Sequence, residues 1–132
     1  QTRIAILFLD LDGFKPINDR FGHEAGDQAL VEVARRLGGM LRQEDTLARV
    51  GGDEFVILIS DLTDNAERVV AKVAEKCLAI FAPEFAIAGH DCRLSTSIGI
   101  AVGDADGEQL LIAADLAMYR AKEQGRGRYC WT

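Results

Sequence analysis

Residues 3–11 read Arg-Ile-Ala-Ile-Leu-Phe-Leu-Asp-Leu. A nearly unbroken apolar run of this length predicts a strand buried on both faces, in the middle of a sheet. Its carboxyl end carries Asp10 and Asp12. The polar stretch 13–26 reads as a loop, and a helix follows over residues 25–42. There Leu30, Val33, Ala34, Leu37 and Leu41 keep the spacing of one helical face. A short strand over 46–50 precedes Gly51-Gly52, and residues 54–60 form the next strand. Gly-Gly between two apolar strands reads as a two-residue hairpin with positive φ at both positions.

Farther along, Asp64-Asn65-Ala66-Glu67 resembles a capping box with Asp in place of Ser or Thr. The helix it opens puts Val69, Val70, Val73, Cys77, Leu78 and Phe81 on one side and stops at Pro83. Residues 84–88 and 93–102 read as a second hairpin around Gly89-His90-Asp91. A third helix, 108–124, turns Leu110, Leu111, Ala114, Met118 and Ala121 inward and ends at Gly125. Residues 128–131 form a last short strand. The order is βαββαβ with additions, an α/β (α+β) sandwich of ferredoxin-like plan with helices packed on a central mixed or antiparallel sheet.

The chain has 132 residues, of which 48% are hydrophobic, and a formal charge of −6. That length suits one domain and buries roughly 65–70% of the unfolded surface. The hydrophobic content excludes a disordered tail. No apolar run approaches the ~18 residues of a membrane span, and no signal peptide is visible. The acidic balance argues against binding a nucleic-acid polymer. It leaves room for a nucleotide carried with a divalent metal, because the ion reverses the local sign. The three cysteines, Cys77, Cys92 and Cys130, form no CxxC and read as reduced residues of a cytosolic protein. With only His23 and His90, a histidine-rich zinc site is not expected. The first residue is Gln1, not Met, and the expectation is one domain of a longer protein.

A strand-helix-strand crossover makes the first two strands parallel, so their carboxyl ends share one edge of the sheet. Asp10 then approaches Asp53 and Glu54, which follow Gly51-Gly52. Clustered carboxylates repel one another unless a cation joins them. Hard oxygen donors select Mg²⁺ or Mn²⁺ rather than zinc. Taken singly, Asp10-Leu11-Asp12-Gly13 fits an ordinary turn and Gly51-Gly52 an ordinary hairpin. Their meeting at one edge points to metal.

At these residues the chain resembles a known family. Gly51-Gly52-Asp53-Glu54-Phe55 spells the signature of the GGDEF-domain diguanylate cyclases. Asp10-Leu11-Asp12-Gly13-Phe14-Lys15, with Ile17-Asn18-Asp19, is similar to the family's metal and nucleotide loop. Phe21-Gly22-His23 and Gly26-Asp27 resemble its base-binding stretch. Ser97-Ile98-Gly99-Ile100 and the run from Ala114-Asp115 to Lys122 match later blocks. The resemblance covers residues 4–128.

It implies a fold similar to nucleotidyl cyclase and polymerase palm domains, and condensation of two GTP into cyclic di-GMP and pyrophosphate. By position, Asp10, the Leu11 carbonyl, Asp53 and Glu54 would hold Mg²⁺ or Mn²⁺. Asp53, Glu54 and Lys15 would be catalytic, with more weight on metal activation of the 3′-hydroxyl than on Asp53 as a base. Asn18 and Asp27 would read guanine, with His23 lining that site, Phe14 would bind substrate, and Lys122 and Arg126 would join Lys15 on the triphosphate. A carboxylate accepts from guanine N1–H and N2–H₂, donors that adenine does not present in that arrangement. Arg42 and Asp45 match the family's RxxD inhibitory motif for cyclic di-GMP, with Arg49 a lesser contributor. The product needs two facing half-sites, hence a homodimer. The family usually carries an Asp-x-Leu-Thr-Gly-Leu segment ahead of the first strand, and residues 1–132 contain none, so a lone domain is expected to be a weak, cytoplasmic catalyst. Two other readings stay open: a silent module that binds cyclic di-GMP or GTP, and a regulatory partner of an adjacent phosphodiesterase domain.

Overall fold

In the computed structural model, residues 3–104 and 106–132 are described. The strand over the opening apolar run is β1 (Arg3–Asp12), followed by α1 (Phe14–Phe21), α2 (His23–Met40), β2 (Thr46–Arg49) and β3 (Glu54–Leu62). Then come α3 (Ala66–Ala79), β4 (Phe85–Ile87), β5 (His90–Cys92), β6 (Ser95–Gly103), α4 (Gly107–Glu123) and β7 (Tyr129–Trp131). The main sheet has five strands in the order β2-β3-β1-β6-β7. Its first four, numbered as the core strands, reproduce the ferredoxin-like order, and β7 adds a parallel edge to β6.

β1 lies in the middle, as its composition required. Ala5, Leu7, Leu9 and Leu11 pack into one core with α1, α2 and α3, while Ile6 and Phe8 pack with Ala114 and Met118 of α4. Alternate residues of a strand point to opposite faces, so a central strand covered on both sides must be apolar throughout. Both β1 and β2 run antiparallel to β3, and therefore run the same way as each other. The expected crossover is present, with β3 inserted between its two strands.

Several local expectations fail for identifiable reasons. The stretch read as a loop contains α1, eight residues long. Phe14 and Ile17 bury one side of it, and Pro16 stands in its first turn, where a missing N–H costs nothing. Neither Gly51 nor Gly52 has a positive φ. The β2–β3 connection is longer than two residues: Arg49 pairs with Phe55, and the Val50 N–H donates to the Glu54 carbonyl at 3.0 Å. Asn65, not Asp64, precedes α3, and it makes no side-chain cap. That helix ends before Pro83, and Val69 faces outward. The second hairpin joins β4 to β5 through Ala88 and Gly89, both at positive φ (52° and 77°). Residues 95–103 leave it to become β6 beside β1.

Arg36 fastens this small hairpin to α2. Its guanidinium donates to the carbonyls of Ile80, Pro83 and Glu84 at 2.7–2.9 Å and lies 3.7 Å over the Phe85 ring. All three cysteines are free, and burial pushes the Cys77 thiol up to about 12. Among the described residues no helix is long and apolar enough to cross a membrane.

Gly99, in β6, is where α4 meets the sheet: a Cβ there would collide with the Ala114 carbonyl and the Met118 N–H. Backbone cannot yield as a side-chain tip can, so Gly99→Ala is expected to lose about 3 kcal/mol in urea denaturation. Gly52→Ala, which points into open space, is expected to stay within about 0.5 kcal/mol. Equal losses would refute the close-approach reading.

Candidate active site

The register of β1 against β3 brings the acidic residues together. Asp10 pairs with Glu54, and the Leu11 N–H donates to the Asp53 carbonyl at 3.1 Å. Asp10 is half-buried. Its Oδ2 lies 3.4 Å from Lys122 Nζ, and its Oδ1 is buried without a hydrogen-bond partner. Burial first, and then the Asp53 charge, push this carboxyl from its ordinary 3.8 up to about 6, against the pull of Lys122. Glu54 is raised as well, by burial and then by Asp115 of α4 and Asp53. A Cβ on Gly51 would fall 2.5 Å from Glu54 Oε1, so the glycine's function is to admit that carboxylate.

The carboxylates approach one another but do not close into a cage. Among the described residues no group of three or more His, Cys, Asp or Glu side chains is gathered tightly enough to hold a metal. Asp10, with one buried unpartnered oxygen, and Asp53 supply hard oxygen donors that fit a divalent ion of the Mg²⁺ or Mn²⁺ kind. Glu54 stands behind them, against the turn.

Beside this edge lies a cavity of about 390 Å³. Leu11, Phe14, Lys15, Asp53, Lys122 and Arg126 line it, which brings three separate stretches of sequence to one hollow. The turn of Gly13 (φ 86°) allows α1 to start immediately after β1 and places Lys15 there. Lys15 is exposed and pairs loosely with Asp19 at 3.8 Å. Asn18 rests against Gly26, where any side chain would collide with Asn18 Oδ1; this contact lets α1 and α2 close and sets Asn18 beside the start of α2, where Asp27 follows. Asp27 borders a second cavity of about 500 Å³ with Leu30, Leu47 and Phe55. His23, the first residue of α2, is exposed and lines neither hollow.

Arg42 and Asp45 pair with each other, Nη2 to Oδ1 at 2.9 Å, with the Arg42 N–H also donating to Asp45 Oδ2 at 2.9 Å. They border a cavity of about 210 Å³ between the end of α2 and α3. Lys72 and Lys76 of α3 also face it, and sequence spacing had no means of linking them to Arg42. Arg49 does not join this group. It donates to the carbonyls of Gly52 (2.7 Å) and Gly51 (3.4 Å) and borders the Asp27 cavity instead. Asp12 was also missed as a site residue, although its place two residues after Asp10 puts both on the same face of β1.

Comparison with known proteins shows the family. The family model described as diguanylate cyclase, GGDEF domain, matches residues 1–128, and the chain belongs to that family. The chain is 48% identical over 134 residues to the bifunctional diguanylate cyclase/cyclic di-GMP phosphodiesterase MucR of Pseudomonas aeruginosa, covering 99% of this chain and 19% of that protein. It thus spans about a fifth of that relative's length. The crystal structure of the GGDEF domain of PA1120 (YfiN or TpbB) from Pseudomonas aeruginosa superposes with a TM-score of 0.90 at 41% identity, covering 98% of this chain and 82% of that one. The GGDEF domain of DgcB from Caulobacter crescentus, solved in complex with c-di-GMP, superposes with a TM-score of 0.86 at 29% identity, covering 98% and 78%.

Because the folded-state pKa of Asp10 is raised, the folded domain takes up that proton more readily than the unfolded chain. Ionising Asp10 therefore costs stability as pH climbs from about 4 through 6. In metal-free buffer Asp10→Asn is expected to gain about 1–2 kcal/mol at pH 7.5, after allowance for solvent screening, and much less at pH 4. Urea denaturation at the two pH values checks this; no gain at pH 7.5, or the same gain at both, would contradict it.

Proposed function

We propose that this domain is a diguanylate cyclase: the 3′-hydroxyl of one GTP attacks the α-phosphate of a second and displaces pyrophosphate, and the reverse attack displaces a second pyrophosphate as it closes cyclic di-GMP. The observation that carries this reading is the single cavity in which Asp53 meets Lys15, Lys122 and Arg126, beside the unpartnered oxygen of Asp10. Asp10, the Leu11 carbonyl and Asp53 would hold a divalent ion, which supplies charge neutralisation at the α-phosphate and acidifies the attacking hydroxyl. Lys15, Lys122 and Arg126 bind the triphosphate and offset the charge that builds on pyrophosphate. Asn18 and Asp27 take the guanine edge, and Phe14 lines the triphosphate cavity.

The triphosphate cavity and the Asp27 cavity together serve one GTP, so the second GTP must be carried by a facing copy. Arg42 and Asp45, with Lys72 and Lys76 nearby, form the site where product would bind and limit synthesis; the cations suit its two phosphates. The DgcB domain, solved in complex with c-di-GMP, supports product binding by a domain of this family. GTP supply places the domain in the cytoplasm, as one unit of a longer protein. A silent, nucleotide-binding domain is the second reading, favoured by the open carboxylate arrangement and by Lys122 resting on Asp10.

Turnover of GTP with Mg²⁺, followed across protein concentration, decides between the two. The expected rate rises faster than linearly, and Asp53→Ala lowers it by about 10²–10³ or more. Equal turnover by Asp53→Ala sinks the catalytic assignment. A wild-type chain that binds cyclic di-GMP with no turnover, even when dimerised by fusion, establishes the silent reading. Arg42→Ala is expected to abolish cyclic di-GMP binding in calorimetry and leave turnover at low product unchanged.

A further inference from the structure

Asp12 is the most enclosed acid near the cavity, only 7% exposed. Its Oδ2 accepts from Ser95 Oγ (2.9 Å), Ser97 Oγ (3.0 Å) and the Gly127 N–H (3.1 Å). Its Oδ1 accepts from Ser97 Oγ (3.0 Å) and Lys122 Nζ (3.3 Å), with Arg126 Nε at 3.8 Å. A buried carboxylate is tolerated only with such partners. The chain bends to provide them: Gly125, Arg126 and Gly127 all have positive φ (124°, 64° and 61°). For Arg126 that conformation is strained, and the contacts with Asp12 hold it.

Lys122 is shared. Its ammonium lies 3.3 Å from Asp12 and 3.4 Å from Asp10, between two aspartates on the same face of β1. The two acids differ in what they can still accept. Asp12 is filled by hydroxyl and backbone donors, whereas Asp10 keeps a buried oxygen without a partner.

We propose that Asp12 is a positioning residue for the triphosphate-binding cations, and that Lys122 is the resident counter-ion of Asp10, handed on to the triphosphate when a divalent ion takes that carboxylate. The inference rests on the reading of the cavity as a GTP site. A divalent charge on Asp10 repels the ammonium beside it. Asp12 keeps Lys122 within reach, and the long flexible stem allows its head to swing into the cavity. Asp12 holds Arg126 on the same side. The domain thereby avoids an uncompensated acidic edge when empty, and releases a cation when the negative nucleotide arrives.

The test uses calorimetry on the whole chain, with Mg²⁺ alone, with GMP, and with 3′-deoxy-GTP, which carries the triphosphate but has no attacking hydroxyl. Lys122→Met and Asp12→Asn are each expected to weaken 3′-deoxy-GTP by about tenfold, ~1.4 kcal/mol, and GMP by less than about twofold. The double variant is expected to lose clearly less than the product of the two single losses, since Asp12 acts in part through Lys122 and in part through Arg126. Without nucleotide, Lys122→Met is expected to bind Mg²⁺ about tenfold more tightly, its competitor gone. Additive losses, equal loss of GMP and 3′-deoxy-GTP in Asp12→Asn, or unchanged Mg²⁺ affinity in Lys122→Met would overturn the proposal. If Lys122→Met leaves 3′-deoxy-GTP binding intact, the GTP reading of the cavity itself fails, a separate result. Should Asp12→Asn not fold, Ser97→Ala keeps the charge and removes one aligning hydroxyl. A loss of about threefold confined to 3′-deoxy-GTP is then expected, and no loss, or one shared with GMP, overturns the proposal.

Discussion

Four acids must share one rim of the sheet, and their mutual repulsion is the constraint the rest of the site answers. Asp10 and Asp12 stand on the same face of β1, while Asp53 and Glu54 arrive at the start of β3 by the antiparallel register. Each acid is accommodated differently. Asp12 is saturated with donors from β6 and from the turn after α4. Glu54 is tucked against Gly51. Asp10 is left with a raised pKa and an unfilled oxygen, the combination that suits a group waiting for a cation.

The scaffold exists to keep that rim in place. α4 crosses the sheet at Gly99, close enough that its last turn delivers Lys122, and the turn after it Arg126, to the end of β1. The small residues of α4 that face inward, Ala114, Ala117 and Ala121, permit the approach. On the opposite face α1 and α2 close over Gly26, and Arg36 ties the β4–β5 hairpin to α2 through three carbonyls. Dense packing transmits position, so a site assembled from distant segments can be held to within a fraction of an ångström.

Where sequence reasoning failed, the competing physics is plain. The segment 13–26 carries polar residues on most of its surface, and only Phe14 and Ile17 reveal the short helix α1. A Gly-Gly pair has several conformations available, so its presence between strands did not establish a two-residue turn. Here Gly51 is required for space beside Glu54 and not for a positive φ. Arg49 lay close in sequence to Arg42 and Asp45, yet strand β2 carries it along the sheet to the Gly51–Gly52 carbonyls.

The amino-acid sequence by itself determined the central strand, the crossover that aligns β1 with β2, the family, and the meeting of Asp10 with Asp53 and Glu54. The family follows from the resemblance of its motifs; the rest follows from hydrophobic periodicity and strand direction, which are local or nearly local properties. Only the tertiary structure decided what each acid is paired with. Lys122 lies 110 residues from Asp12, and Lys72 and Lys76 reach the Arg42 hollow from another helix. Such pairings depend on crossing positions and side-chain reach in three dimensions, and no spacing along the chain encodes them.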